Sequence, residues 1–95
     1  MTDVKNTNDC LETIKLFVEN SVKMMVDFSD EVSVDSITST KCLIFQIRTS
    51  KKDYGKVIGK GGKTINALRA ICGAMKNTKF PDDRRSIILE LVEEK

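Results

Sequence analysis

Histidine and tryptophan are absent from this 95-residue sequence, and proline occurs once, at Pro81. Without histidine, a histidine-based catalytic triad is excluded and a Cys/His zinc site cannot be completed. Cysteine is scarce and odd in number: Cys10, Cys42 and Cys72 lie far apart and match no metal spacing. They read as small buried hydrophobes in a reducing compartment. Aromatics are 5% of the chain, and Phe17 and Phe45 fall on predicted core stripes. That leaves too few rings for a protein that stacks successive bases on exposed aromatics. No apolar run approaches the ~18 residues of a membrane span, and Met1 opens the polar stretch TDVKNTND, which has no signal-peptide pattern. A cytoplasmic protein is expected, away from membranes, with no cofactor and no catalytic site.

What is present fits one domain. Hydrophobic residues are 40% and charged residues 32%, ordinary for a soluble globular chain. A chain of this length buries only a little over ~60% of its unfolded surface, so every element must serve one core. The net charge is +2, but it is unevenly spread. Residues 1–47 carry four Lys against eight Asp/Glu, a net of −4. Residues 48–69 carry seven bases (Arg48, Lys51, Lys52, Lys56, Lys60, Lys63, Arg69) against Asp53 alone, a net of +6. Such a concentration is either a solvated lysine surface or an electrostatic footprint for phosphates.

Residues 1–8 read as a flexible N-terminal tail and 9–95 as a single domain. Asp9 with Glu12 suggests a capping box, and Leu11, Ile14, Val18, Val22 and Met25 form one stripe of a helix ending near Met25. Val32 to Ile37 and Lys41 to Thr49 read as strands, the second with Leu43, Phe45 and Ile47 facing inward. The break Thr38–Thr40 suits a hairpin, so they should pair antiparallel. A short helix over Lys52–Ile58 is stopped by glycines, and a longer one runs from Lys63 to about Asn77, with Ile65, Leu68, Ile71, Cys72 and Met75 on its apolar face. Lys79–Arg85 is a loop, and Ser86–Glu93 a last strand. The helix–strand–strand–helix–helix–strand order predicts an α+β fold: a three-stranded mixed sheet, its last strand parallel to the second, with helices packed on one face.

Three of the five glycines fall within Gly59-Lys60-Gly61-Gly62. A P-loop ending in Gly62-Lys63-Thr64 would need glycine at Val57 and a preceding strand, and has neither. A dinucleotide fingerprint would need glycine at Thr64. A bare tight turn needs positive φ, but one glycine would suffice, and here three are interleaved with lysine. The remaining reading is a Gly-x-x-Gly clamp between two helices, close enough to a sugar–phosphate backbone to hold about four nucleotides. The Lys63 and Thr64 N–H groups and the dipole of the second helix would favour an anion there. Lys60 adds charge at the tip. Val57, Ile58, Ala67 and Ala70 are candidates for the floor of a base groove, with Asn66 and Arg69 as donors at its edge. Of the aromatics, only Tyr54 falls near it.

The segment DYGKVIGKGGKTINALRAI, Asp53 to Ile71, resembles the KH-domain signature V-I-G-x-x-G-x-x-I. The element order is similar to the bacterial type II KH arrangement, over about Asp9 to Val92. A chain of this size resembles the small single-KH-domain proteins of the KhpA (YlqC) family. The resemblance makes Gly59, Lys60, Gly61 and Gly62 the loop, with Gly55, Lys56, Ile58, Lys63, Thr64, Ile65, Asn66 and Arg69 at neighbouring positions. It implies sequence-tolerant binding of single-stranded RNA, in post-transcriptional regulation or as an RNA chaperone. A backbone clamp needs no 2′-OH, so single-stranded DNA remains a second ligand. The family also implies a homodimer, or pairing with a larger partner that carries its own KH domain. A different class of function, a protein-interaction module with a KH fold and little RNA affinity, stands beside it.

Overall fold

The computed structural model describes residues 7–93. Its elements are α1 (Thr7–Met25), β1 (Ser33–Thr38), β2 (Cys42–Arg48), α2 (Tyr54–Ile58), α3 (Lys63–Lys79) and β3 (Ser86–Leu91). The expected order is the observed one. Of the expected tail, residues 1–6 lie outside the described residues, whereas Thr7 and Asn8 belong to α1. Asp9 therefore sits in the first turn and not at the cap, where its charge still complements the helix dipole.

The alternation in β2 dictates the layers. Leu43, Phe45 and Ile47 are fully buried on the face toward the helices, and each contributes roughly 1.5–3 kcal/mol by leaving water. Their neighbours on the other face stay half-exposed. β1 pairs with β2 antiparallel, Val34 opposite Ile47, and β3 pairs parallel, Ile87 opposite Leu43. Ser39 builds the hairpin: its Oγ accepts the Lys41 and Cys42 N–H groups at 3.2 and 3.0 Å.

On α1 the fully buried line is Cys10, Ile14, Val18 and Val22, a strict four-residue spacing, with Leu11 and Met25 packed at its margins. The stripe thus runs one residue from the expected line at its start. α3 departs further. Leu68 and Cys72 are buried as expected, but Ile71 is 49% exposed and the next buried position is Lys76, a charged residue. α3 also continues to Lys79, two residues past the expected end. Cys10 and Cys72 are buried, and Cys42 only half so. Burial pushes the Cys10 and Cys72 thiols up to about 11, with Asp83 adding to the rise at Cys10.

Candidate nucleic-acid interface

Two helices meet in a four-residue turn whose glycines all have positive φ. The Gly59 N–H closes α2 onto the Gly55 carbonyl at 2.9 Å. Gly59 itself has φ 76° and ψ 170°, a region that is in practice glycine's alone. Gly61 (φ 64°, ψ 21°) and Gly62 (φ 79°, ψ 12°) are left-handed. Each of the three is therefore required by the turn itself. One glycine does not suffice for this turn, contrary to expectation: it needs all three.

The turn's amides are partly consumed by its own closure. The Gly62 N–H donates to the Gly59 carbonyl at 3.1 Å, and the Lys63 N–H donates to the Lys60 carbonyl. Lys63's amide, expected to be free for an anion, is engaged. What the start of α3 retains for a phosphate is its dipole and the side chains around it. Lys60 and Gly61 form the exposed tip. Lys60, Lys63 and Arg69 are exposed and bonded to no described residue.

Lys56 is differently placed. Its Nζ lies 3.1 Å from Asp27 Oδ2 and 3.3 Å from Asp53 Oδ1, and these bonds raise its pKa. Asp53 is fully buried. Burial alone would raise its carboxyl, but the amides of Phe28 (2.9 Å) and Asp27 (3.1 Å), together with Lys56, hold it below its ordinary value. Asp53 thereby ties the end of α1 to the start of α2, and so sets where the glycine turn stands. Sequence reasoning passed over it, although a signal was there: it is the single acid among seven bases. Arg48 is spent as well, 2.6 Å from Asp35 on the outer sheet face, and the Lys52 ammonium lies 5.6 Å from the Phe28 ring centre. The basic segment is not one patch.

The expected groove floor does not assemble as one surface. Val57 is fully buried in the core and Ile58 half-buried. α3 instead separates two open grooves. Toward α1, Lys63, Thr64, Ala67 and Ile71 face Phe17 and Met24 across about 500 Å³. Toward β3, Arg69 and Ala70 share about 380 Å³ with Arg84, Arg85 and Ser86. Asn66 is exposed, its amide nitrogen 3.5 Å from where a Cβ on Gly62 would lie. Gly55 is exposed on α2 with open space around it. Arg84 and Arg85 were missed as groove residues, because only the fold brings residues fifteen apart to one side of α3.

A three-stranded mixed sheet backed by helices, two of them joined by a Gly-x-x-Gly turn, defines a KH domain of the type II element order. The chain belongs to the KhpA/KhpB KH-domain family, whose model matches residues 15–89. Among its relatives, the RNA-binding protein KhpA of Chlamydia trachomatis is 33% identical over 82 residues, covering 86% of this chain and all of that one. That of Clostridium acetobutylicum is 35% identical over 79 residues, 83% of this chain and all of the relative. That of Mycobacterium tuberculosis is 44% identical over 54 residues, 57% of this chain and 68% of the relative. No solved structure matches. Among the described residues, no helix is long and apolar enough to cross a membrane.

Proposed function

We propose that this protein binds single-stranded RNA through the Gly59–Gly62 turn, without catalysis and largely without regard to sequence. The observation that carries the reading is the turn itself. A backbone bare of side chains is presented at a helix start, with Lys60 at the tip and Lys63 beside it, neither bonded to a described residue. Relatives named as RNA-binding proteins support it. We place it in the cytoplasm, in post-transcriptional regulation or RNA chaperoning, roles that suit a clamp that grips backbone and leaves bases unread.

The test is a titration of labelled single-stranded RNA and DNA at several salt concentrations, with wild type and with Lys60→Asp/Gly61→Asp. Gly61 is the right glycine to change, because a Cβ there meets nothing within 4 Å. Lys60, Lys63 and Arg69 at the phosphates would give a log–log salt slope of about −2, at ~0.7 per phosphate. A double variant that folds and binds as well as wild type would remove the clamp.

A second reading has its own support. The groove between α1 and α3 is lined by apolar side chains, and Met24 is 87% exposed at its rim. That face suits a protein partner, either a second copy or a larger KH-domain protein. Ile71→Asp should then lower the mass measured by sedimentation while leaving RNA affinity per protomer unchanged.

A further inference from the structure

The loop after α3 contains the charge pairs Asp82–Asp83 and Arg84–Arg85, which the glycine turn does not use. The four residues are not alike. Asp83 and Arg85 form a half-buried ion pair: Nη2 to Oδ2 is 2.5 Å, Nε to Oδ1 2.9 Å, and the Arg85 N–H to Oδ1 3.1 Å. Asp83 is also tied three further ways. Its N–H donates to the Phe80 carbonyl at 3.0 Å, its carbonyl accepts the Lys76 ammonium at 2.5 Å, and its carboxylate faces the Cys10 thiol, whose pKa it helps to raise. One residue thus fastens the loop to α1, α3 and itself. The hydrogen bonds from Arg85 hold the Asp83 carboxyl at about 2, against the opposing effect of burial.

The fastening sorts the cations of the α3–β3 groove. Lys76 and Arg85 are each bonded within the protein, to the Asp83 carbonyl and carboxylate respectively. Arg69 and Arg84 are exposed, line the same groove, and are bonded to no described residue. Among the described residues no carboxylate lines that groove, since Asp83 is turned onto Arg85. Arg69 stands seven residues beyond Gly62, roughly 10 Å along the helix axis. That lies inside the footprint of about four nucleotides that a Gly-x-x-Gly domain holds. An unpaired cation on each wall of a groove without acids among the described residues is a place for a polyanion backbone.

We propose that Arg84 is a further phosphodiester contact, acting with Arg69 across the α3–β3 groove, and that Asp83 is the residue that positions it. The proposal rests on the RNA-binding reading above.

The experiment measures binding of a labelled oligouridylate against salt. Variants are Arg84→Ala, Arg69→Ala, their combination, and Lys60→Asp/Gly61→Asp as reference. Arg84→Ala is expected to reduce the log–log slope by about 0.7, and the Arg69/Arg84 pair by about 1.4. Asp83→Asn/Arg85→Gln removes the ion pair and keeps polar groups in its place, avoiding a half-buried orphan charge. It should weaken binding as Arg84→Ala does, and adding Arg84→Ala to it should cause no further loss. A role confined to stability would leave the Arg84→Ala effect undiminished in that background, which would overturn the positioning claim. If Lys60→Asp/Gly61→Asp abolishes binding while Arg84→Ala keeps the wild-type slope, the groove contact is overturned and the clamp survives. If wild type does not bind RNA, both fall.

Discussion

Gly59 and Thr64 meet across the turn so closely that a Cβ built on the glycine would lie 2.2 Å from Thr64 Oγ1 and 2.8 Å from the Thr64 backbone nitrogen. The hydroxyl could rotate away; the nitrogen, in the first turn of α3, could not. Gly59 therefore permits the close approach of α2 and α3, in addition to supplying a conformation. Gly61 has nothing within 4 Å of such a Cβ and supplies conformation alone.

Substitution should separate these two functions of glycine. Gly61→Ala is expected to cost about 1–2 kcal/mol, the usual strain of a left-handed L-residue. Gly59→Ala adds the clash to about 1–3 kcal/mol of backbone strain and should cost clearly more. Thr64→Ala should not restore it, because the backbone nitrogen stays. Urea denaturation of the four proteins measures this; equal losses at Gly59 and Gly61 would refute the packing role.

The sheet was legible in the sequence because period-two alternation in Leu43, Phe45 and Ile47 has a single interpretation once one face is buried. The junction of the two crossover helices was legible because its glycines lie where α2 ends and α3 begins. The charged interior was not. Asp53 is placed by backbone amides 25 and 26 residues away, and Asp83 by an arginine in the next strand's approach. Periodicity carries no information about either. Lys76 lies off the expected apolar line of α3, and the loop carbonyl it reaches, that of Asp83, is fixed only by the folded loop. Ile71 failed in the opposite sense: it has the spacing of a core residue, but α1 leaves an open groove beside it.

Thiol chemistry offers an independent check on the packing. Cys10 and Cys72 are fully buried and their thiols are pushed up to about 11. Cys42 lies half-exposed on β2. Only the thiolate reacts, so alkylation of the native protein near neutral pH should label Cys42 first. The other two should react only at the rate of opening. Peptide mass spectrometry over a time course reads the order, and early labelling of Cys10 would contradict the burial of α1.

Acid should weaken the fold through Asp83. Its folded pKa of about 2 lies below the ordinary 3.8, so the unfolded chain binds the proton more readily. The stability it contributes is complete above the ordinary value and disappears as pH falls through it toward 2. The amount is at most about 2 kcal/mol. Asp53, also lowered, acts in the same direction. The wild-type urea midpoint should fall between about pH 4.5 and pH 2.5, and the fall should be smaller in Asp83→Asn/Arg85→Gln. An identical pH profile for the two proteins would show that the loop ion pair does not supply it.

The lysines of the basic segment should not be equivalent toward RNA. Lys56 is held by Asp27 and Asp53 at 3.1 and 3.3 Å, and a phosphate would have to compete with both carboxylates. Lys60 has no such partner among the described residues and sits at the exposed tip of the turn. Lys60→Ala should therefore flatten the salt dependence of RNA binding by about 0.7, the share of one phosphate on a single strand. Lys56→Ala should leave the slope unchanged and lower the melting temperature, because Asp53 loses a cation beside its buried carboxylate. Binding against salt and thermal unfolding, measured on the same two variants, distinguish the assignments. Should Lys56→Ala flatten the slope as much as Lys60→Ala, the ion pairs seen here do not survive contact with RNA. The basic segment would then act as the single patch that its sequence suggests.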